Sequence, residues 1–148
     1  MTWRNEGRLN VVVHGAKAPS PLEWSRYLSE MSGRKEDELR VVVFSYGGAP
    51  GGAQRLQLSS MVEGGDFRVP LALVTDTLLV RAMVGALRWF NPAIRAFALS
   101  ETREAYEFLG LTTEERERVT AIREELESEL ADSDPLGGSP ARTVAARR

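Results

Sequence analysis

Three residues could in principle form a proton relay: His14, Ser45 and Asp76, each at the end of a run rich in valine or leucine. A hydroxyl becomes a nucleophile only when a base takes its proton and an acid orients that base. Triad chemistry would therefore require all three side chains within hydrogen-bonding reach. His14 is the only imidazole in 148 residues, and cysteine is absent. Thiolate nucleophiles, disulfides and zinc sites built from several histidines are excluded, and no Gly-x-Ser-x-Gly elbow presents Ser45. The plainer reading of His14 is a partly buried ring bonded to backbone. Ligand contact or pH sensing is its functional alternative.

A second candidate is Ser45-Tyr46-Gly47-Gly48-Ala49-Pro50-Gly51-Gly52, placed where a strand hands over to a helix. Glycines allow tightly curved backbone with exposed amides, and a following helix start attracts anions. The segment has neither the spacing of a nucleotide phosphate loop nor that of the dinucleotide fingerprint. A structural or partner-contacting loop is the first expectation, and an anion or nucleotide site the second. Asp76 and Thr77 read as a helix cap, and phosphate on Ser45 or Thr77 would add about two negative charges there. Lys17, Arg55, Arg81 and Arg88 are candidates for an anion-facing rim. Trp89, in Trp89-Phe90-Asn91-Pro92, either closes a corner of the fold or anchors a protein partner. None of these patterns calls for a cofactor or a metal.

The elements that must position these residues recur in cycles. Leu9 to His14 and Leu39 to Phe44 are continuous apolar runs, as strands buried on both faces are. Val69 to Thr75 is a third strand, and the alternating Ile94 to Leu99 fits a partly covered or edge strand. Between them, helices are expected from Ser20-Pro21 to Met31, from Ala53 to Val62 and from Leu78 to Phe90. Their inward residues are read as Leu22, Trp24, Tyr27, Leu28 and Met31 in the first, then Leu56, Leu58 and Met61. The third would present Leu79, Met83, Leu87 and Phe90. Ser100 is expected to cap a helix ending before Gly110. Thr112 and Glu115 form a capping box ahead of a Val119-Ile122-Leu126-Leu130 stripe. Residues 2–7 are undecided between an added antiparallel edge strand and loop. The sum is an α/β fold: a single domain over residues 1–131 with a mostly parallel sheet of four or five strands and helical crossovers, then a flexible tail over 132–148.

Charge is unevenly spread. Residues 1–99 carry 12 basic and 9 acidic residues, whereas 100–131 carry 4 basic and 10 acidic. The acidic terminal helix could lay its stripe on its own sheet, with the acids in solvent, or offer it to a partner or a second copy. The whole-chain charge of -2 argues against nucleic-acid binding. No uncharged run approaches a bilayer span, so a cytoplasmic protein without stable membrane insertion is expected.

The layout from Leu9 to about Leu130 resembles the small bacterial STAS domains, the SpoIIAA-like family that includes anti-sigma-factor antagonists. The resemblance rests on Asn10-Val11-Val12-Val13-His14-Gly15, Arg40-Val41-Val42-Val43-Phe44-Ser45, Ala72-Leu73-Val74-Thr75-Asp76, and Arg88-Trp89-Phe90-Asn91-Pro92 before Ile94-Arg95-Ala96-Phe97. It implies a regulatory module that docks on signalling proteins. It also implies a phosphorylation switch in an Asp-Ser-Ser-Gly-like segment, whose place is taken here by Phe44-Ser45-Tyr46-Gly47-Gly48, with Ser45 as the hydroxyl. The functional expectation is therefore a non-enzymatic protein-binding module of the STAS type, with a possible homodimer. It would dock a signalling or scaffold partner through His14, Ser45, Tyr46, Gly47, Gly48, Arg55, Asp76, Thr77 and Trp89. The alternative is sensing of a small nucleotide, anion or lipid; hydrolase or transferase activity ranks below both.

Overall fold

The computed structural model describes residues 1–32, 34, 38–63, 69–88 and 92–133, with the side chains at 58, 59, 61–63 and 87 left out. Its order is β1 (Thr2–Glu6), β2 (Leu9–His14), α1 (Pro21–Ser32), β3 (Arg40–Ser45), α2 (Gly52–Glu63), β4 (Leu71–Val74), α3 (Leu78–Leu87) and β5 (Ile94–Phe97). A 3-10 turn (Leu99–Glu101) then leads into α4 (Thr102–Phe108) and α5 (Thr113–Ser133). Trp89, Phe90 and residues 134–148 of the expected tail lie outside the described residues.

The five strands form one sheet in chain order, β1-β2-β3-β4-β5. Residues 2–6 do add an antiparallel strand on β2, pairing Trp3 with Val12. The other neighbours are parallel, in a register that sets His14 beside Ser45 and Phe44 beside Val74. Right-handed crossovers that always advance in one direction leave their helices on one face. That face packs Trp24, Tyr27 and Met31 of α1 and Val80 and Val84 of α3 against Val12, Val41, Val43, Leu73 and Ile94. The opposite face carries Val11, Val13, Val42, Phe44 and Val74 and is closed by α4 and α5. Covered twice, β2 and β3 lose the alternation of a half-wet strand, which is why their valines run without interruption.

Local signals fix most ends. Ser20 and Glu23 cap α1 reciprocally, the Glu23 amide donating to Ser20 Oγ at 3.3 Å and the Ser20 amide to Glu23 Oε2 at 2.7 Å. Thr112 and Glu115 do the same for α5, at 3.2 and 2.8 Å. After α4, Gly110 takes φ 63°, and the Gly110 and Leu111 amides donate to Glu107 and Tyr106 carbonyls, a Schellman ending. Ser100 does not cap α4: it lies inside the 3-10 turn, where Glu101 accepts from the Ala98 amide at 2.7 Å.

The α5 stripe packs on the chain's own sheet. Val119, Ile122 and Leu126 are fully buried in the core and Leu130 borders it. Ion pairs join the first strand region to the helix: the strand-side bases Arg4 and Arg8 pair with Glu125 and Glu129 and, at 2.6 Å, with Glu115, and in the opposite sense Arg118 of α5 pairs with Glu6 of β1. The uneven charge of the two chain segments is thus partly an internal complementarity.

Helix faces depart from expectation on the other side. In α3 the sheet is met by Val80 and Val84, one residue along from the expected Leu79 and Met83, and Leu79 points outward. Leu22 and Leu56, expected inside, are also exposed.

Candidate functional site

Parallel strands end together, so His14, Ser45, the glycine loop and Asp76-Thr77 lie at or just after strand ends along one side of the sheet, while Trp89 lies outside the described residues. The sheet order never reverses within its parallel part, however, and therefore lacks the crevice that such a reversal opens in other α/β sheets. What the edge offers depends on the side chains.

No relay assembles there. His14 and Ser45 are register partners, but the Ser45 hydroxyl donates to the Gly48 carbonyl at 2.7 Å and is buried. Asp76 is exposed, and its Oδ1 accepts from the Leu99 amide at 2.9 Å. Thr75 is buried and binds strand ends together, its hydroxyl donating to the Ser45 carbonyl at 2.8 Å and its amide to that of Phe97 at 2.9 Å. The cap expected from Asp76 and Thr77 differs as well. Thr77 occupies the N-cap position of α3 without a side-chain cap bond, and Asp76 ties down the 3-10 turn instead.

The glycine loop is committed to the fold. Gly47 adopts φ 110°, a conformation that side chains resist. Gly48 packs against the loop after β2 so closely that a Cβ would lie 2.3 Å from the Lys17 carbonyl oxygen and 2.4 Å from that of Gly15. Its amide donates to the Gly15 carbonyl at 2.7 Å, the Gly47 amide to Ser45 Oγ at 3.4 Å and the Gly51 amide to Gln54 Oε1 at 2.7 Å. These donors, which an anion cradle would need free, already have partners. The expected anion rim is dispersed too: Arg88 follows the last turn of α3, at the end of that helix away from the strand ends.

Tyr46 turns to the α5 side. Its hydroxyl bonds Glu127 and accepts from Arg123, whose guanidinium also lies 4.4 Å over the Phe44 ring. Burial and the Glu127 carboxylate push the Tyr46 phenol up to about 12. It is an internal link between β3 and α5.

Sequence reasoning missed a cavity on the α1/α3 side. It measures about 90 Å³ and is lined almost wholly by apolar groups, with Val43, Leu71, Leu73 and Ile94 from the strands, Trp24 and Leu28 from α1, and Met83 and Val84 from α3. Its remaining lining includes His14, Ser45, Gly48, Ala49, Pro50 and Arg55. Two buried polar atoms among these residues have no partner, His14 Nδ1 and Trp24 Nε1. Burial drives the His14 imidazole from 6.5 down to about 4, so it is neutral at pH 7. Arg55 is exposed, and its guanidinium contacts the Pro50 carbonyl at 3.4 Å and the Met83 sulfur at 3.6 Å.

Outside the cavity, the exposed large apolar side chains among the described residues are Leu22, Leu56, Leu78 and Leu79, at 62, 70, 79 and 73% exposure. They belong to the opening turns of α1, α2 and α3. No helix among the described residues is long and apolar enough to cross a membrane. Comparison with family models, curated proteins and solved structures finds no match.

Proposed function

We propose that this chain is a non-enzymatic regulatory module of the bacterial STAS, SpoIIAA-like type, which docks a signalling or scaffold protein in the cytoplasm through the strand-end edge of its sheet. The observation that carries the reading is the placement of the exposed leucines. Leu22, Leu56, Leu78 and Leu79 all stand at helix starts, and each of these helices begins where a parallel strand ends. Apolar side chains scattered over a surface need no explanation, but a group confined to one edge is what an interface core requires. The glycine loop between β3 and α2 lies on the same edge and holds its shape through internal bonds, so the surface is preformed. The four-cycle layout behind the STAS resemblance is compatible with this use, and Ser45 would accept phosphate only after its loop opens.

The test separates docking from folding. A quadruple variant, Leu22→Ser, Leu56→Ser, Leu78→Ser and Leu79→Ser, is expected to match the wild-type melting temperature and to lose a specific protein that the wild type retains from extract of the native cell. Light scattering on the purified chain identifies a second copy as the occupant. Retention of the same protein by the variant, or none by the wild type at any concentration, overturns the reading.

A further inference from the structure

A helix that is apolar all round is ordinarily covered all round, and α3 is not. Val80 and Val84 meet the sheet, yet Leu78, Leu79, Ala82, Gly85 and Ala86 of the same 10-residue helix are exposed. Spaced three and four apart, these five share one outward face, and none carries a charge. The neighbouring helices show what a wetted face looks like in this chain: Ser25, Arg26, Ser29 and Glu30 on α1, Arg55 and Gln57 on α2.

Gly85 sharpens the contrast. Glycine inside a helix weakens it relative to alanine, and a Cβ added at this position would meet nothing within 4 Å. The single copy therefore supplies no packing reason for a glycine here. A second helix laid on the face does, since a missing side chain admits a larger one from the partner.

The face is complementary to itself in one orientation. With two copies of α3 antiparallel about Ala82, Leu78 meets Ala86 and Leu79 meets Gly85, so each leucine lies opposite a small residue. Parallel pairing would instead set leucine on leucine and leave the small residues facing each other across a gap. Charge favours the antiparallel choice as well. Asp76 and Arg88, both exposed, stand equally far on either side of Ala82, so the acid before one helix start meets the base after the other helix end. Asp76 gives Oδ1 to the Leu99 amide, and a carboxylate has acceptor capacity beyond one such bond.

We propose that the outer face of α3 is the seam of a two-fold symmetric dimer of this chain, with α3 antiparallel on α3, Ala82 on the axis, and Leu78 and Leu79 seated on Ala86 and Gly85 of the second copy. Such an interface is isologous, each copy offering the same patch. A helix of 10 residues is about 15 Å long, so the seam is smaller than a standard interface and the dimer exchanges with monomer. The seam does not rest on the docking reading: it takes up Leu78 and Leu79 and leaves Leu22 and Leu56 to a protein partner.

The test follows the weight-average mass of the full chain by sedimentation equilibrium. It is expected to rise from one chain toward two with a dissociation constant on the order of 50 µM, as suits a small interface. Gly85→Gln, which fills the place of the opposing Leu79, is expected to keep or raise the melting temperature while weakening the dimer by about tenfold or more. Arg88→Glu is expected to weaken it by about fivefold at low salt. Ala82→Arg and Ala82→Glu are each expected to be monomeric at about 50 µM, and their equimolar mixture to dimerise again, because residue 82 meets its own counterpart at the axis. The proposal is overturned by any of three results: no rise in mass up to about 1 mM, above the range of a weak dimer; a folded Gly85→Gln that dimerises as the wild type does; or an equimolar mixture of the two folded charge variants that stays monomeric. Leu22→Ser with Leu56→Ser is expected to leave the mass curve unchanged, and Gly85→Gln to keep the protein that the wild type retains from extract, so failure of the seam and failure of docking are told apart.

Discussion

A methyl group on Gly48 would have no room. The atoms it would meet, carbonyl oxygens of Lys17 and Gly15, are backbone and cannot swing aside as a side-chain tip can. Gly48→Ala must therefore separate the loops after β2 and β3 or break the 2.7 Å bond between them, and is expected to cost about 2–4 kcal/mol in urea unfolding. Loop variants at this position consequently report on folding before they report on association. His14 gives a residue-scale prediction with a sign. Its imidazole has a folded value of about 4 against an ordinary 6.5, so the unfolded chain binds the proton more readily between those limits. The unfolded state is favoured as that proton is taken up, and the stability in question is complete above pH 6.5 and is lost as pH falls toward 4. At its full extent this difference corresponds to about 3 kcal/mol. His14→Leu removes both the titration and the unpartnered Nδ1. Its urea midpoint is expected to change less between pH 8 and pH 5 than that of the wild type, and an equal change in both would refute the assignment.

The elements differ in how they are stabilised. In α5, Val119, Ile122 and Leu126 each remove a whole aliphatic side chain from water, worth about 1.5–3 kcal/mol apiece. Leu126→Ala is expected to destabilise the chain by about 2–5 kcal/mol, and Leu126→Glu to unfold it rather than to dissolve an assembly while leaving a folded monomer. Circular dichroism with light scattering distinguishes these outcomes. The ion pairs beneath the same helix are surface pairs: Arg8→Ala is expected to cost about 1 kcal/mol at low salt and less at high salt. This helix was legible in the sequence because its capping box marks the start and its polar residues leave only one apolar stripe. The strands were legible because burial on both faces writes unbroken valine runs. In α3 the segment Leu78-Leu79-Val80-Arg81-Ala82-Met83-Val84 is apolar nearly all round, so periodicity has no unique phase and the buried face came out one residue away. Leu22 and Leu56 follow the same logic: spacing shows that an apolar residue fits a helix face but not that the face is covered. The Schellman glycine at 110 and the capping serine at 20 were visible locally, and Glu23's return bond to the Ser20 amide is equally local, three residues along the same helix start, whereas the pairing of Arg4 and Arg8 with a helix over a hundred residues away depends on the assembled sheet.

At the scale of the whole molecule, the two faces of the sheet are not equivalent, and the cavity follows from that difference. On one face α4 and α5 lie against the strands with Tyr106, Leu109, Val119, Ile122 and Leu126 all buried. On the other, α1 and α3 pack against the sheet, but the described side chains of α2 are exposed or half-buried, leaving space beside Val43 and Leu73. No single segment of the sequence announces such a space, since it is bounded by strands and helices that lie far apart in the chain. Protection of backbone amides should record the asymmetry, because exchange is slowest where buried apolar contact is densest. Native-state hydrogen exchange is expected to give β2, β3 and the buried turns of α5 opening free energies near the global value, and α2 values lower by at least about 2 kcal/mol. Uniform protection across all five helices would mean that α2 is held as firmly as its neighbours, and the physical basis for an adaptable cavity on that face would be lost.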